Sequence, residues 1–156
     1  APSLWSMRGT PFPVRVELPM TDKPRRRYAG HMTADVHVPF RFRIVHGRDP
    51  SRKSSEQTAR TKSLNLMGLS FETPRIEVED FHLSFTEASY GRNSLEIVLD
   101  LGKRLGEVDL LGQVEWYESR QTPAGQYFIV GVGFIDVQAD VMAAMREFLR
   151  QAQGFV

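Results

Sequence analysis

The sequence predicts an all-β fold: a small antiparallel β-barrel followed by a single C-terminal α-helix. Three observations carry that prediction. From Asp35 to Phe134, apolar and polar residues alternate in short runs, the period of strands with one buried face. Turn-forming residues separate the runs, among them Gly47, Pro50, Gly91, Asn93 and Thr122-Pro123-Ala124-Gly125. The period then changes once, after Asp136, to the 3.6-residue repeat of an amphipathic helix. Many short strands followed by one helix are expected to pack as a barrel over residues 34–135, with a helix over residues 138–152 closing its mouth.

Residues 1–24 are broken by Pro11, Pro13, Pro19 and Pro24, and within them only Val14-Arg15-Val16-Glu17-Leu18 alternates like a strand. Prolines on both sides suit an edge strand or a linker. Residues 1–24 therefore read as an N-terminal extension or linker, or as the end of a preceding domain, and residues 25–152 as the domain proper. Arg25-Arg26-Arg27 opens that domain. Val36, Val38, Phe40, Phe42 and Ile44 then define an amphipathic strand of about ten residues, and Pro39 places that strand at an edge or bulge. A polar loop covers His46 to Gln57.

Next comes Ser63-Leu64-Asn65-Leu66-Met67-Gly68-Leu69-Ser70-Phe71, where two polar side chains alternate with leucines until Gly68 interrupts. A glycine there marks a bulge, sharp turn or close backbone approach, and a bulge with positive φ at Gly68 is expected. Ile76-Glu77-Val78 and Phe81–Phe85 alternate with a phase slip at Asp80, again the pattern of a bulge. Leu95, Ile97, Leu99 and Leu101 share one face of a strand. In the next strand Val108, Leu110, Gly112, Val114 and Trp116 share one face, and Phe128, Val130, Val132 and Phe134 continue it. In the helix, Val141, Met142, Met145, Phe148 and Leu149 form the buried stripe, with Asp136 or Asp140 as N-cap and Gly154 as stop.

Composition narrows the function. With 156 residues, 41% hydrophobic and 25% charged, the chain suits one globular domain. It contains no cysteine, so there is no thiolate nucleophile or thiolate metal site. No window approaches a membrane span and no signal-peptide pattern stands at the N-terminus, so a cytoplasmic address without membrane contact is expected. His31, His37, His46 and His82 show no metal-ligand spacing, and no nucleophile elbow or dinucleotide fingerprint is present. The expectation is a binding domain, not an enzyme, with no metal and no cofactor. Net charge is +1, but residues 1–62 carry 13 Lys/Arg against 5 Asp/Glu (+8) and residues 63–156 carry 7 against 14 (−7). A basic half points to an anionic ligand, or is neutralised by the acidic half across the fold. No aromatic-interleaved basic motif supports nucleic acid as that ligand.

Together, Arg25-Arg26-Arg27, Ser63-x-Asn65-x-x-Gly68 followed by Leu69, Leu95–Leu101, Gly112-x-Val114-x-Trp116 and Gly131–Phe134 resemble the PilZ family over roughly residues 25–152. PilZ domains are bacterial cyclic di-GMP receptors on a split-barrel-type β-barrel, with the signatures RxxxR and [D/N]xSxxG. The resemblance implies a cyclic di-GMP site drawn from Arg25, Arg26, Arg27, His31, Ser63, Asn65 and Gly68. It also implies a protein partner in the motility or secretion apparatus, and an output to motility, adhesion or exopolysaccharide machinery. Arginine suits such a ligand through bidentate bonds to phosphate or to the guanine O6/N7 edge and through stacking on purines. The signatures are degenerate: Gly30 or His31 stands where the second arginine belongs, Ser63 replaces the acid or amide, and Asn65 replaces the serine. Arg48-Asp49-Pro50-Ser51-Arg52 spells RxxxR too, but lies after the first barrel strand and is a chance match. A degenerate PilZ domain that binds a protein and no nucleotide is the alternative reading.

Overall fold

The structure, a computed structural model, describes residues 14–17, 33–85 and 91–153. In chain order they form β1 (Val14–Glu17), β2 (Thr33–Ala34), β3 (Pro39–Val45), β4 (Gln57–Asn65), β5 (Gly68–Thr73), β6 (Glu77–Val78), β7 (Phe81–His82), β8 (Ser94–Asp100), β9 (Glu107–Thr122), β10 (Gly125–Ile135) and α1 (Ala139–Ala152). Every strand pairing among the described residues is antiparallel. The order β9-β10-β5-β4-β3-β8 returns to β9 and closes a six-stranded barrel. β1 adds to β9 at the edge of this sheet, β2 adds to β4, and β6 pairs with β7 as a separate hairpin.

Alternation fills the barrel as the sequence predicts. Phe40, Phe42, Ile44, Leu64, Leu69, Phe71, Leu95, Ile97, Leu99, Val114, Val130 and Val132 all lie in one buried cluster. The Phe71 ring, fully buried, meets Phe40 edge-on at 5.2 Å and Phe42 at 5.6 Å. Such aromatic packing adds ~0.5–1.5 kcal/mol per pair beyond area burial. α1 covers this core with Met145 and Leu149, both at 0% exposure, flanked by Val141, Ala144 and Phe148. Met142, expected in the stripe, is half-buried outside the cluster, and Ala144 takes part instead.

Several local expectations are corrected. β3 begins at Pro39 and is flanked by both β4 and β8, so it is central, not an edge. Proline at a strand's first residue withdraws no needed ladder donor. Residues 35–38 are not strand; there Val38 N–H donates to Thr61 Oγ1 (2.9 Å) and Thr61 N–H to the Val38 carbonyl (2.9 Å). The slip at Asp80 is a hairpin turn between β6 and β7, with Glu79 at φ 57°, not a bulge in one strand. The N-cap of α1 is Gln138, in extended conformation and without a side-chain cap. Asp136, at φ 49°, redirects the chain out of β10, and Asp140 sits inside the first helical turn, where its negative charge complements the positive end of the helix dipole. Gly154 lies outside the described residues.

Two histidines tie down loops. His46, buried, accepts at Nδ1 from the N–H groups of Arg48 and Asp49 (3.1 Å each). His82 accepts at Nδ1 from Ser84 N–H (2.9 Å) and Phe85 N–H (3.3 Å), its ring against Phe85 and Tyr117. Asn93 joins the two loops, accepting from Gly47 N–H and donating to the carbonyls of His82 and Phe85.

Candidate functional site

The β4–β5 turn is built by Asn65. Its Oδ1 accepts from Met67 N–H (2.7 Å) and Gly68 N–H (2.9 Å), an Asx turn that satisfies two donors the tight reversal leaves without a ladder partner. The Met67 carbonyl then accepts from Phe134 N–H (2.8 Å), fastening the turn to β10. Three residues earlier the register of β4 against β5 slips, because Thr61 pairs with Phe71 and Ser63 with Ser70. Lys62 is the extra residue of this bulge, which inverts the phase of β4. Thr61 faces inward on one side of it and Leu64 on the other, while Ser63 and Asn65 face out. The Ser63 and Ser70 hydroxyls bond each other at 2.7 Å.

Gly68 is not the bulge, and its φ is not positive. It is glycine because β10 lies against it: a Cβ there would stand 2.0 Å from the Val132 carbonyl oxygen and 3.3 Å from Gly133 Cα. Backbone cannot yield as a side chain can. Of the three alternatives that a glycine in a strand pattern poses, close backbone approach is the one realised.

The second correction concerns Trp116. Gly131 pairs with Trp116 but Val132 with Val114, so Glu115 is an extra residue in β9. This bulge turns Tyr117 into the core and Trp116 outward, contrary to the face shared with Val114 that alternation predicts. The indole lies over Gly131, where a Cβ would come within 2.2 Å of Trp116 Nε1 and Cε2. Registry therefore sets Ser63, Ser70, Gly131 and Trp116 in one outward row across four strands, with Gly68 and Gly133 paired beside it. On β4, β5, β10 and β9 the strip carries hydroxyls, an amide, glycines and one indole, and the row continues onto β1, where Glu17 pairs with Trp116. The row beyond it is charged: Lys62 pairs with Glu72 (3.4 Å), and Glu118 pairs with Arg120 (2.9 Å).

Of the predicted site residues, Ser63, Asn65 and Gly68 are thus brought together. Arg25, Arg26, Arg27 and His31 lie outside the described residues. Sequence reasoning passed over Ser70, Gly131 and Trp116 as site residues; the signal was a small residue at two successive outward positions in each of β5 (Gly68, Ser70) and β10 (Gly131, Gly133). Grooves of ≈ 560 Å³ by Phe42, Phe71 and Arg75 and of ≈ 470 Å³ beside the start of α1 include none of Ser63, Asn65 and Gly68. The chance RxxxR lies elsewhere too, in the β3–β4 loop, with the Arg52 guanidinium 5.7 Å from the Phe81 ring centre.

No family model matches the chain, and no curated protein matches it. Solved structures do. The Bacillus subtilis inhibitor of motility MotI/DgrA is 10% identical with a TM-score of 0.55, over 84% of this chain and 56% of that one. MrkH of K. pneumonia in its apo state is 13% identical with a TM-score of 0.54, over 87% and 53%. The PilZ domain of Escherichia coli YcgR, solved with c-di-GMP, is 12% identical with a TM-score of 0.50, over 90% of this chain and 89% of that domain. The chain has a PilZ-like fold. It spans about half the length of MotI and MrkH and nearly all of the YcgR PilZ domain. The PilZ-like barrel contains no helix among its described residues long and apolar enough to cross a membrane.

Proposed function

We propose that this chain is a cyclic di-GMP receptor domain, with the ligand on the outer strip of β4, β5, β10 and β9 and the arginines of residues 25–27 folded over it. The carrying observation is the row Ser63–Ser70–Gly131–Trp116, where small residues on adjacent strands run up to an outward indole that lies over Gly131. Indole faces stack on purines at ~1–3 kcal/mol per base. The likeness to a PilZ domain solved with c-di-GMP supports the same reading. Chain geometry supports it as well. Thr33 pairs with Asn65, and Arg27 lies six residues before Thr33, so a connection that can span up to ~20 Å would let the arginines reach the strip. Its output is motility, adhesion or exopolysaccharide control through a protein partner.

The test is calorimetric titration with cyclic di-GMP. Binding in the micromolar range or tighter is expected, and Arg26→Ala with Arg27→Ala should abolish it without lowering the melting temperature. One arginine contact contributes ~1.5–3 kcal/mol, so the double variant should be silent at any practical concentration. A flat titration of the parent chain would overturn the receptor reading.

One observation favours the second reading, a protein-binding module that has lost the nucleotide. The Asn65 carbonyl is committed to its own turn, and the Ser63 hydroxyl to Ser70. Under that reading the arginine variant changes association with a protein partner and nothing else.

A further inference from the structure

Away from that strip, the outer face where β8, β9 and the start of α1 meet forms a groove of ≈ 470 Å³. Its walls include Val98, Leu111, Ile135 and Val137. Registry alternates apolar and acidic groups across it, with Glu96 opposite Leu111 and Val98 opposite Asp109. Leu111 is 40% exposed, and among the described residues only Phe85 is another large apolar side chain so open. Outward positions beside it in β9 are Glu107, Asp109 and Gln113, so a leucine there is out of keeping with a merely solvated strand face.

The charges around this apolar floor are one-sided. Asp109 and Asp136 stand in the groove without an ion pair or side-chain hydrogen bond among the described residues. Neighbouring cations are already engaged: Lys53 with Glu96 (2.9 Å) and Arg41 with Glu107 (2.7 Å). The groove continues past Gln138 and Asp109 into a second, of ≈ 480 Å³, that adds Asp140, Val141 and Ala144. A partner that fills the apolar floor would therefore meet carboxylates on its flanks. Strand addition is closed along β8, which lies between β3 and β9, and along β9 from Leu111 onward, which lies between β8 and β10; beside Glu107–Asp109 the space is taken by Gln138, Asp140, Val141 and Ala144 at the start of α1. The partner must present side chains, as a helix does when it lays one face into a groove.

We infer that this groove is a docking site for a short basic amphipathic helix of a partner protein. The inference does not rest on nucleotide binding, which concerns a different face. The probe is a synthetic peptide of about 18 residues, five helical turns, with leucines on one face and lysines on the other. It is titrated into the isotope-labelled full chain by NMR. Amide shifts are expected at Val98, Asp109, Leu111 and Val137, with an affinity that weakens as salt rises. A peptide with glutamate in place of lysine should leave those amides unmoved. Leu111→Ser with Asp109→Asn should weaken binding about tenfold or more at an unchanged melting temperature. Asp109→Asn alone, which leaves the apolar floor intact, should weaken it about threefold. No shifts at these residues, shifts centred elsewhere, or equal binding by both variants would overturn the proposal. So would shifts at the groove that grow with protein concentration in the absence of peptide, since they assign it to a second copy of the chain.

Discussion

Two outward faces of one barrel share a core and differ in almost everything else. In one stretch of β4, β5 and β10 the outward residues shrink to Ser63, Gly68, Ser70, Gly131 and Gly133, all but Ser63 buried, with the Trp116 indole over Gly131. Across β8 and β9 they are charged or apolar, and side chains hide the backbone. On the two proposals above, the contrast separates two kinds of recognition. A small planar ligand needs close approach to fixed hydrogen-bonding groups, so side chains are removed. A protein helix needs apolar area with charges around it, so side chains are kept. Inward positions cannot make this distinction, because both halves bury the same aliphatic and aromatic types.

The strongest way to break the comparison is Gly68→Ala. Its Cβ would meet the Val132 carbonyl oxygen at 2.0 Å, so β5 and β10 must separate. Overpacking of this kind costs ~1–3 kcal/mol or more, which predicts a melting temperature lower by roughly 5–10 °C in thermal unfolding. Cyclic di-GMP affinity should fall with it, and peptide binding at the β8–β9 groove should not change. An unaltered melting temperature would remove close approach as the reason for glycine.

Asn65→Ala is the next step down. It strands the N–H groups of Met67 and Gly68, at ~1–2 kcal/mol, and chemical denaturation should detect the loss. Asn65→Asp keeps the acceptor and should recover most of it. Equal losses in both variants would show that the Asx turn does not hold the reversal.

Acid sharpens the contrast with the smallest effect, since nothing in the strip of serine, glycine, asparagine and tryptophan titrates. Burial holds the His82 pKa below its ordinary 6.5, against the opposing pull of Glu77. The unfolded chain then takes up that proton first, so stability present above pH 6.5 declines as pH falls through the folded value. Protonation also ends the acceptance at Nδ1 that fixes Ser84 and Phe85. On the β8–β9 side, the hydrogen bond and charge of Arg41 hold the Glu107 carboxyl below 4.5. That exposed pair is lost only at lower pH and contributes little. A pH series of denaturant midpoints should therefore decline from about 6.5, and His82→Gln should remove that first decline. Persistence of the decline in His82→Gln would assign it to another group.

Period and punctuation made the barrel, its strand sequence and the terminal helix legible, because each depends on which side of a local element is buried. What escaped depends on partners. The bulges at Lys62 and Glu115 each insert one residue, and nothing in either strand alone marks them. Glu115 reversed the side on which Trp116 emerges, so a residue assigned to the core belongs to the surface strip. Gly68 was recognised as special, but the positive φ expected of it is not what makes it so: close approach is, and the group it makes room for, the Val132 carbonyl, is 64 residues away in sequence. Asn65 was read as a ligand contact, and its structural duty became visible only with the turn it closes. Pro39 was assigned to an edge by residue type, although position at the strand start is what matters.

β9 is long enough to serve two neighbours in succession, β8 along Glu107–Gly112 and β1 along Trp116–Ser119. Asp109 and Trp116 thus mark two stations ~20 Å apart on one strand. That spacing leaves room for a nucleotide at one station and a helix at the other. Occupancy of the two is then a matter of a joint partition function with four states, empty, singly filled in either way, and doubly filled. Steric competition would delete the last state. On the two proposals, with β9 as common track, the doubly filled state is expected, and any departure of its weight from the product of the single weights would measure what the strand transmits.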